Sequence, residues 1–261
     1  MSATILIADD VIEDGVVVRV VTLAQPAKKN ALTPAMLKQL IEALPKTSSS
    51  SSTQPVRVVV LEGAGATFSS GFDLSALHDD DDDGARARRV DPITPAANAL
   101  QRCPVPVVCA VDGACFGGAV ELVAACAVRV ASTSTTFCIP ATRLGLVYPA
   151  AGLRRLRMTL GRNAERVLVV GAPFTAAQAL GWGLVHDVVD DARAHARSLA
   201  RTIAGNAPIA VSGTLEALGI VDDDGDDDAI EAIRDRALQS DDLIEGVRAQ
   251  KEKRPPKFGG R

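Results

Sequence analysis

Short apolar runs rich in β-branched residues alternate with segments of helical periodicity along the first half of the chain. Residues 16–24 (VVVRVVTLA), 57–61 (RVVVL) and 104–111 (PVPVVCAV) predict strands. Between the first two, Thr33 and Pro34 mark the start of a helix with apolar residues at spacings of three and four. Strands that are almost continuously apolar and are separated by helices predict an α/β fold with a buried sheet.

Helical periodicity dominates the second half of the chain. Thr175 is predicted to cap a helix that Gly181 and Gly183 end. Most of the sequence from residue 191 onward carries an apolar residue at every third or fourth position. We therefore predict two parts, an α/β core at residues 1–190 and a helical C-terminal region at residues 191–261.

The composition of the chain argues against several classes of partner. Its net charge is −4 with a pI near 5.4, whereas binding to nucleic acid phosphates needs clustered Lys and Arg. The longest apolar run, residues 113–128, is interrupted by Glu121 and falls short of the roughly 20 apolar residues of a membrane span. The N-terminus shows no secretory signal, so we expect a cytoplasmic protein.

Neither the cysteines nor the acidic runs predict a metal site. The five cysteines are odd in number and lack a CxxC pair, which is typical of buried reduced thiols. The runs at 78–84 (HDDDDDG) and 222–228 (DDDGDDD) lack the spacing of an EF-hand loop and are predicted to be solvated loops. The three histidines fit neither HExxH nor a nucleophile motif, so neither a zinc site nor a hydrolytic triad is indicated.

Two glycine-rich turns follow predicted strands. They are residues 63–74 (GAGATFSSGFDL) and residues 112–118 (DGACFGG), of which the second leads into a helix. The first matches neither GxGxxG nor a P-loop, but glycine lets the backbone approach a ligand closely. If the turns are neighbours, their N–H groups can converge on one oxygen and form an oxyanion hole.

A single carboxylate, Glu121, lies in the apolar run that begins at the second turn. No other charged residue occurs between Asp112 and Arg129. Burial of an ionised carboxylate is costly, and it raises the pKa of the group toward the range that is useful for proton transfer. Glu121 is therefore a candidate general acid/base.

Several ordered motifs resemble those of the enoyl-CoA hydratase/isomerase superfamily, also called the crotonase family, and the likeness covers nearly the whole chain. The motifs are PAKKNAL (26–32), TFSSGFDL (67–74), PVPVVCAVDGACFGGAVEL (104–122), IPATRLGLVYPAAGLRRL (139–156), FTAAQALGWGLVHDVV (174–189) and EKRPPKFGGR (252–261). The resemblance implies a crotonase-like spiral of ββα repeats. It also implies that the C-terminal helices pack between the subunits of a homotrimer or a dimer of trimers.

The resemblance further implies an enzyme of acyl-CoA metabolism whose substrate is a coenzyme A thioester, with no additional cofactor. The backbone N–H groups of Phe72 and Gly118 would hold the thioester carbonyl and stabilise an enolate. Glu121, three residues after Gly118, would be the general acid/base. Phe72 stands where alanine is commoner in the family, and its side chain would narrow the acyl pocket.

The nucleotide end of coenzyme A is expected near residues 26–32 and the SSG turn, by the same resemblance. Lys28 and Lys29 would contact its phosphates as point charges, although an ordinary solvated loop is the alternative for both. Ser70 and Asp73 stand where the adenine pocket would be.

One position departs from the hydratases of the family. These carry a second glutamate directly after the proline that corresponds to Pro140, and here the residue is Ala141. Hydration needs one group to deprotonate water and another to protonate carbon, whereas one carboxylate can move a proton between two carbons. The sequence therefore favours isomerisation of an enoyl-CoA double bond. Hydration with a non-standard second group, decarboxylation, chemistry on a polyketide-pathway thioester and catalytically weak acyl-CoA binding are the alternatives.

Three kinds of residue are candidates for the group that would replace the missing glutamate. Tyr148 and Arg143 follow Ala141 within a few residues. The aspartates at 79–83 fall in the variable loop that the family places near the acyl pocket.

Overall fold

Nine strands in two sheets lie at the centre of the part of the chain that the structure describes. The structure is a computed structural model, and it describes residues 4–12, 15–46, 56–77, 91–222 and 225–261. The strands are β1 (Thr4–Val11), β2 (Val17–Ala24), β3 (Val56–Gly63), β4 (Val107–Val111), β5 (Ala114–Phe116), β6 (Val128–Ser132), β7 (Thr136–Cys138), β8 (Phe174–Thr175) and β9 (Asp187–Val189). One sheet has the order β1-β2-β3-β4-β6-β9, in which β1 and β2 are antiparallel and the following pairs are parallel, and the other has the order β5-β7-β8.

Ten α-helices accompany these strands in the described ranges. They are α1 (Pro34–Ala43), α2 (Ile93–Gln101), α3 (Gly118–Ala124), α4 (Ala150–Leu160), α5 (Asn163–Val170), α6 (Ala176–Gly181), α7 (Ala192–Ala204), α8 (Pro208–Asp222), α9 (Asp227–Leu238) and α10 (Asp241–Glu252). Two predicted helix starts are confirmed. Thr33 accepts a hydrogen bond from the Met36 amide at the start of α1, and Thr175 and Gln178 form a capping box at the start of α6.

The prediction of an α/β fold with a buried sheet is confirmed, and β3 shows why its strands are apolar at consecutive positions. Val59 and Leu61 belong to the main core, whereas Val58 and Val60 point to the opposite face of the sheet. That face is covered by α7, which contributes a buried alanine at every fourth position: Ala192, Ala196, Ala200 and Ala204. The first helix after residue 190 therefore packs on the same sheet as the residues before it.

The edge strand β1 carried no recognised signal in the sequence. Its residues after Ile5 are exposed, and Asp9 pairs with Arg19 of β2 at 2.8 Å between Oδ1 and Nε. A charged, exposed strand at the edge of a sheet protects its unpaired backbone from other chains, but it lacks the apolar pattern of a core strand.

The C-terminal helices end in a tail that folds back on α10. The buried carboxylate of Asp242 accepts hydrogen bonds from the amides of Gly259 at 2.7 Å and Gly260 at 3.0 Å. Exposed apolar side chains lie on these helices: Leu218, Val221, Leu238, Leu243, Ile244 and Val247. A helical region that packs between subunits would present such a surface, and the trimer remains a prediction.

Three further expectations can be compared with the structure. All five cysteines are buried and free, as predicted. The acidic run at 222–228 is only partly the predicted loop. Residues 225–226 lie between helices, but Asp222 ends α8 and Asp227 begins α9, where the helix dipole favours negative charge. No helix in the described ranges is both long and apolar enough to cross a bilayer.

Candidate functional site

The two glycine-rich turns lie side by side. The amide of Phe68 donates to the carbonyl of Asp112 at 2.8 Å, that of Ser69 to Ala114 at 3.1 Å, and that of Phe116 to Ser69 at 3.0 Å. These hydrogen bonds join the segment after β3 to the segment after β4 in parallel register. The two turns are therefore neighbours, which is the arrangement that an oxyanion hole built from their N–H groups requires.

Glycine is required where the turns approach each other most closely. Gly71 has a φ of +92°, and a Cβ there would lie 2.6 Å from the carbonyl oxygen of Phe116. At Gly118 a Cβ would lie 2.7 Å from Cδ1 of Ile93 at the start of α2. Both distances are shorter than van der Waals contact. A side chain at position 71 would push the two turns apart, whereas one at position 118 would displace the Ile93 side chain.

The backbone N–H groups of Phe72 and Gly118 donate no hydrogen bond to another residue in the described ranges. On either side of Phe72, the Leu32 amide donates to the Gly71 carbonyl at 2.8 Å, and the Asp73 amide donates to the Leu32 carbonyl at 3.0 Å. Gly118 is the first residue of α3, and the first amides of a helix have no acceptor within the helix. Two unused donors are thus carried by adjacent turns, and their role in holding a thioester remains a prediction.

Glu121 lies in the first turn of α3, and its side chain is 1% exposed. Its Oε1 accepts a hydrogen bond from Arg155 of α4 at 2.5 Å, which makes the two residues a buried ion pair. Burial raises the pKa of Glu121 to about 7, against the opposing attraction of the Arg155 guanidinium. A carboxyl group with a pKa near neutrality can both accept and donate a proton under physiological conditions.

Arg155 was not recognised as a site residue from the sequence. Its guanidinium also donates to Asn98 Oδ1 at 2.6 Å and to Gln101 Oε1 at 3.1 Å, both on α2. The guanidinium is therefore held in place from two helices. A signal existed in the sequence, because Arg155 lies beside Leu156 on the face of α4 that is buried, where an arginine needs a partner.

Gly152 makes room for the carboxylate. A Cβ at this position of α4 would lie 2.8 Å from Oε2 of Glu121. Oε2 accepts no hydrogen bond from any described residue, whereas Oε1 is committed to Arg155. One carboxylate oxygen of Glu121 is therefore available to a further hydrogen-bond donor.

The position of the second family glutamate is occupied by a buried alanine. Ala141 begins a short 3-10 helix, Ala141–Leu144, and is 6% exposed. Arg143 is exposed and lies against Gly171. Tyr148 is half-buried against the core, and its pKa is raised well above the usual range by burial, with the charge of Glu121 adding to the rise. Of the three kinds of candidate replacement, Tyr148 is close to Glu121, and the aspartates 79–83 lie outside the described residues.

The four predicted coenzyme A residues lie together at the surface. Lys28 Nζ pairs with Asp73 Oδ2 at 3.4 Å, and the Ser70 amide donates to the Lys29 carbonyl at 2.9 Å. Lys29 has a left-handed backbone, with a φ of +52°. The loop 26–32 and the SSG turn therefore form one surface, and its role in binding the nucleotide remains a prediction.

Asn30 joins that loop to the first glycine-rich turn, and sequence reasoning missed it. Its side chain is fully buried and donates to the carbonyls of Ala64 and Thr67 at 2.9 and 2.7 Å. Its Oδ1 accepts from the amide of Gln25 at 2.9 Å. A lone asparagine beside two lysines resembles ordinary loop composition, so the sequence did not distinguish it.

Comparison with known proteins shows which family the chain matches. The model of the family Enoyl-CoA hydratase/isomerase matches residues 13–261. A probable enoyl-CoA hydratase of Mycobacterium leprae is 32% identical over 248 residues, which are 93% of this chain and 96% of that protein. A mitochondrial Delta(3,5)-Delta(2,4)-dienoyl-CoA isomerase of Mus musculus is 31% identical over 255 residues, which are 91% of this chain and 77% of that protein.

The fold agrees with these similarities. The crystal structure of an enoyl-CoA hydratase from Polaromonas sp. JS666 superposes with a TM-score of 0.85 at 26% identity, covering 98% of this chain and all of that one. The crotonase fold expected from the sequence motifs is thus confirmed. The chain belongs to the enoyl-CoA hydratase/isomerase family.

Proposed function

We propose that this enzyme isomerises the double bond of an enoyl-CoA, moving it from position 3 to position 2. The observation that carries the proposal is that Glu121 is buried in an ion pair with Arg155, while the position of the second family glutamate holds a buried alanine, Ala141. The family relatives are named hydratases and isomerases alike, so the choice between the two activities rests on the site.

The reaction starts with the thioester carbonyl between the N–H groups of Phe72 and Gly118. A proton leaves C2, and the electrons of the C2–H bond move toward the thioester oxygen, where the two donors stabilise the dienolate. A proton then bonds to C4, using the electrons of the old C3=C4 bond, while the new double bond forms between C2 and C3. Glu121 is a general acid/base of this transfer, through its unpartnered Oε2.

Lys28, Lys29, Ser70 and Asp73 would hold the other end of the substrate. Their surface lies on the loop and turn that also carry Phe72, so binding of the nucleotide would help to position the thioester. The lysines are exposed point charges, which suits contact with phosphates. Loss of such remote contacts reduces turnover as well as affinity, because binding energy is used to orient the reacting group.

Hydration is disfavoured because a water molecule would have to be oriented and deprotonated on the side of Ala141. A methyl group offers neither a hydrogen-bond acceptor nor a base. Hydration is therefore expected to be slow even when the Phe72 and Gly118 amides hold the thioester.

Assay with two substrates tests the proposal. We expect the enzyme to convert 3-hexenoyl-CoA to 2-hexenoyl-CoA, and to hydrate 2-hexenoyl-CoA at least about a hundredfold more slowly, which is the scale of one acid/base group. Products are separated chromatographically and identified by mass. Efficient hydration would replace isomerisation as the activity, and tight binding of both substrates without turnover would indicate an acyl-CoA binding protein.

A further inference from the structure

A polar stripe on α2 faces the site. Asp91, Thr94, Asn98 and Gln101 are separated by three, four and three residues, so they share one side of the helix and the turn before it. Asn98 and Gln101 hold the guanidinium of Arg155. The other two residues continue the same stripe toward the start of the helix.

The start of α2 lies against the oxyanion turn. The side chain of Ile93 occupies the space that a Cβ on Gly118 would need, at 2.7 Å. Thr94 Oγ1 is buried and has no hydrogen-bond partner in the described part of the molecule. Asp91 is therefore carried by a segment in contact with the glycine whose amide is proposed to bind the thioester oxygen.

Asp91 has one oxygen committed and one available. Oδ1 accepts hydrogen bonds from the amides of Ile93 and Thr94, each at 3.1 Å, and no described residue donates to Oδ2. Burial raises the pKa of Glu121, Arg155 opposes the rise, and the charge of Asp91 adds to it. Burial also raises the pKa of Tyr148, and the charges of Glu121 and Asp91 add to that rise.

We propose that Asp91 is a second catalytic residue, the base that takes the proton from C2, while protonated Glu121 gives a proton to C4. This assignment rests on the proposed isomerisation. The proton of the C2–H bond moves to Asp91 Oδ2, and the electrons of that bond enter the dienolate. The proton on Glu121 Oε2 moves to C4, and the electrons of the O–H bond stay on Oε2. Asp91 ends with one proton more and Glu121 with one fewer, and exchange with solvent restores both, so the net change in protons is zero.

The two carboxyl groups suit these opposite roles. Burial raises the pKa of Glu121 to about 7, so a fraction of the enzyme carries a proton on Glu121 at neutral pH, where Oε2 receives no hydrogen bond from the described residues. Arg155 occupies the other oxygen and does not compete for that proton.

The pH dependence follows from this division. Glu121 must be protonated to act as the acid, so kcat for isomerisation should fall about tenfold per pH unit above about 7. The charged and titratable groups facing it are Arg155, Asp91 and Tyr148. Initial rates between pH 5.5 and 9 measure the effect. Activity that instead rises through pH 7 would make ionised Glu121 the base and would overturn the assignment.

The variant Asp91→Asn separates catalysis from helix capping, because asparagine caps helices as well as aspartate does. In D2O, the wild-type enzyme should exchange the C2 protons of butyryl-CoA, a saturated substrate that cannot isomerise. Asp91→Asn should slow this exchange at least about a hundredfold, and Glu121→Gln should retain it within about tenfold. The control is Asp191→Asn, which removes the charge of another helix-capping aspartate, at the start of α7, and should change nothing. Thermal unfolding verifies that each variant is folded.

The outcomes distinguish the two proposals. Exchange that depends on Asp91, without conversion of 3-hexenoyl-CoA by the wild-type enzyme, would reject the isomerase and support Asp91 as the C2 base. Isomerisation by Asp91→Asn at the wild-type rate, or exchange lost in Glu121→Gln alone, would overturn the role of Asp91. Absence of C2 exchange in the wild-type enzyme would overturn it as well.

Discussion

Replacement of Glu121 by glutamine should lower kcat for isomerisation about a thousandfold while KM changes little. Glutamine has nearly the same shape and can still accept a hydrogen bond from Arg155, but it can neither take up nor release a proton. General acid/base groups contribute about 10²–10⁴-fold, and Glu121 combines a perturbed pKa with a position three residues after Gly118. Steady-state kinetics with 3-hexenoyl-CoA measure the change.

A matched control is Glu216→Gln, which makes the same substitution in an exposed ion pair with Arg236. It should leave kcat within about twofold, because exposed pairs contribute little. A Glu121→Gln enzyme with unchanged kcat would remove this residue from the mechanism. A rise in KM with unchanged kcat would instead assign it to substrate binding.

Replacement of Arg155 by methionine should destabilise the folded protein by about 3 kcal/mol at pH 8. The substitution leaves the Glu121 carboxylate buried without its cation, and breaking a buried pair from one side costs about 3–5 kcal/mol. The loss should be smaller at pH 6. Without the guanidinium the pKa of Glu121 rises further above its unfolded value, so the protonated form favours folding and that contribution is lost as pH rises through the folded pKa. Urea unfolding at the two pH values tests both statements.

Two further variants show whether the unpaired charge of Glu121 causes the loss of stability in Arg155→Met. Arg236→Met removes an arginine from an exposed pair and should cost less than about 1 kcal/mol. The double variant Glu121→Gln/Arg155→Met removes both buried charges and should regain part of the stability that Arg155→Met loses. Equal losses in the single and double variants would show that packing, and not the ion pair, accounts for the effect.

The sheet was the part of the fold most readily predicted from the sequence. Its central strands carry valine on both faces, because α7 covers one face and the main core covers the other. That arrangement leaves a continuous apolar run that few other structures produce. The edge strand β1 lacks such a run, since most of its residues meet solvent, and its position depends on pairing with β2.

The candidate site was predictable where its residues follow one another in the chain. Gly118 and Glu121 stand three residues apart, and the two glycine turns each follow a strand, so local pattern was sufficient. Arg155 lies 34 residues after Glu121 on a different helix, and the contact depends on how α3 and α4 pack. Asp91 is separated from Glu121 by a helix and two strands, and its sequence neighbours give no sign of the role that we propose for it.

The hydrogen bonds between the two glycine-rich turns have a consequence for substrate selection. The Phe68, Ser69 and Phe116 amides connect the turns through main chain alone, so hydrogen bonds within the protein hold the two turns side by side. If the Phe72 and Gly118 amides hold the thioester as proposed, such a preorganised pair of donors loses little entropy on binding, and it adjusts little to a carbonyl of different geometry. Discrimination among acyl groups would then depend on the side chains around the acyl chain. The hydrogen bonds to the thioester would be the same for every acyl-CoA.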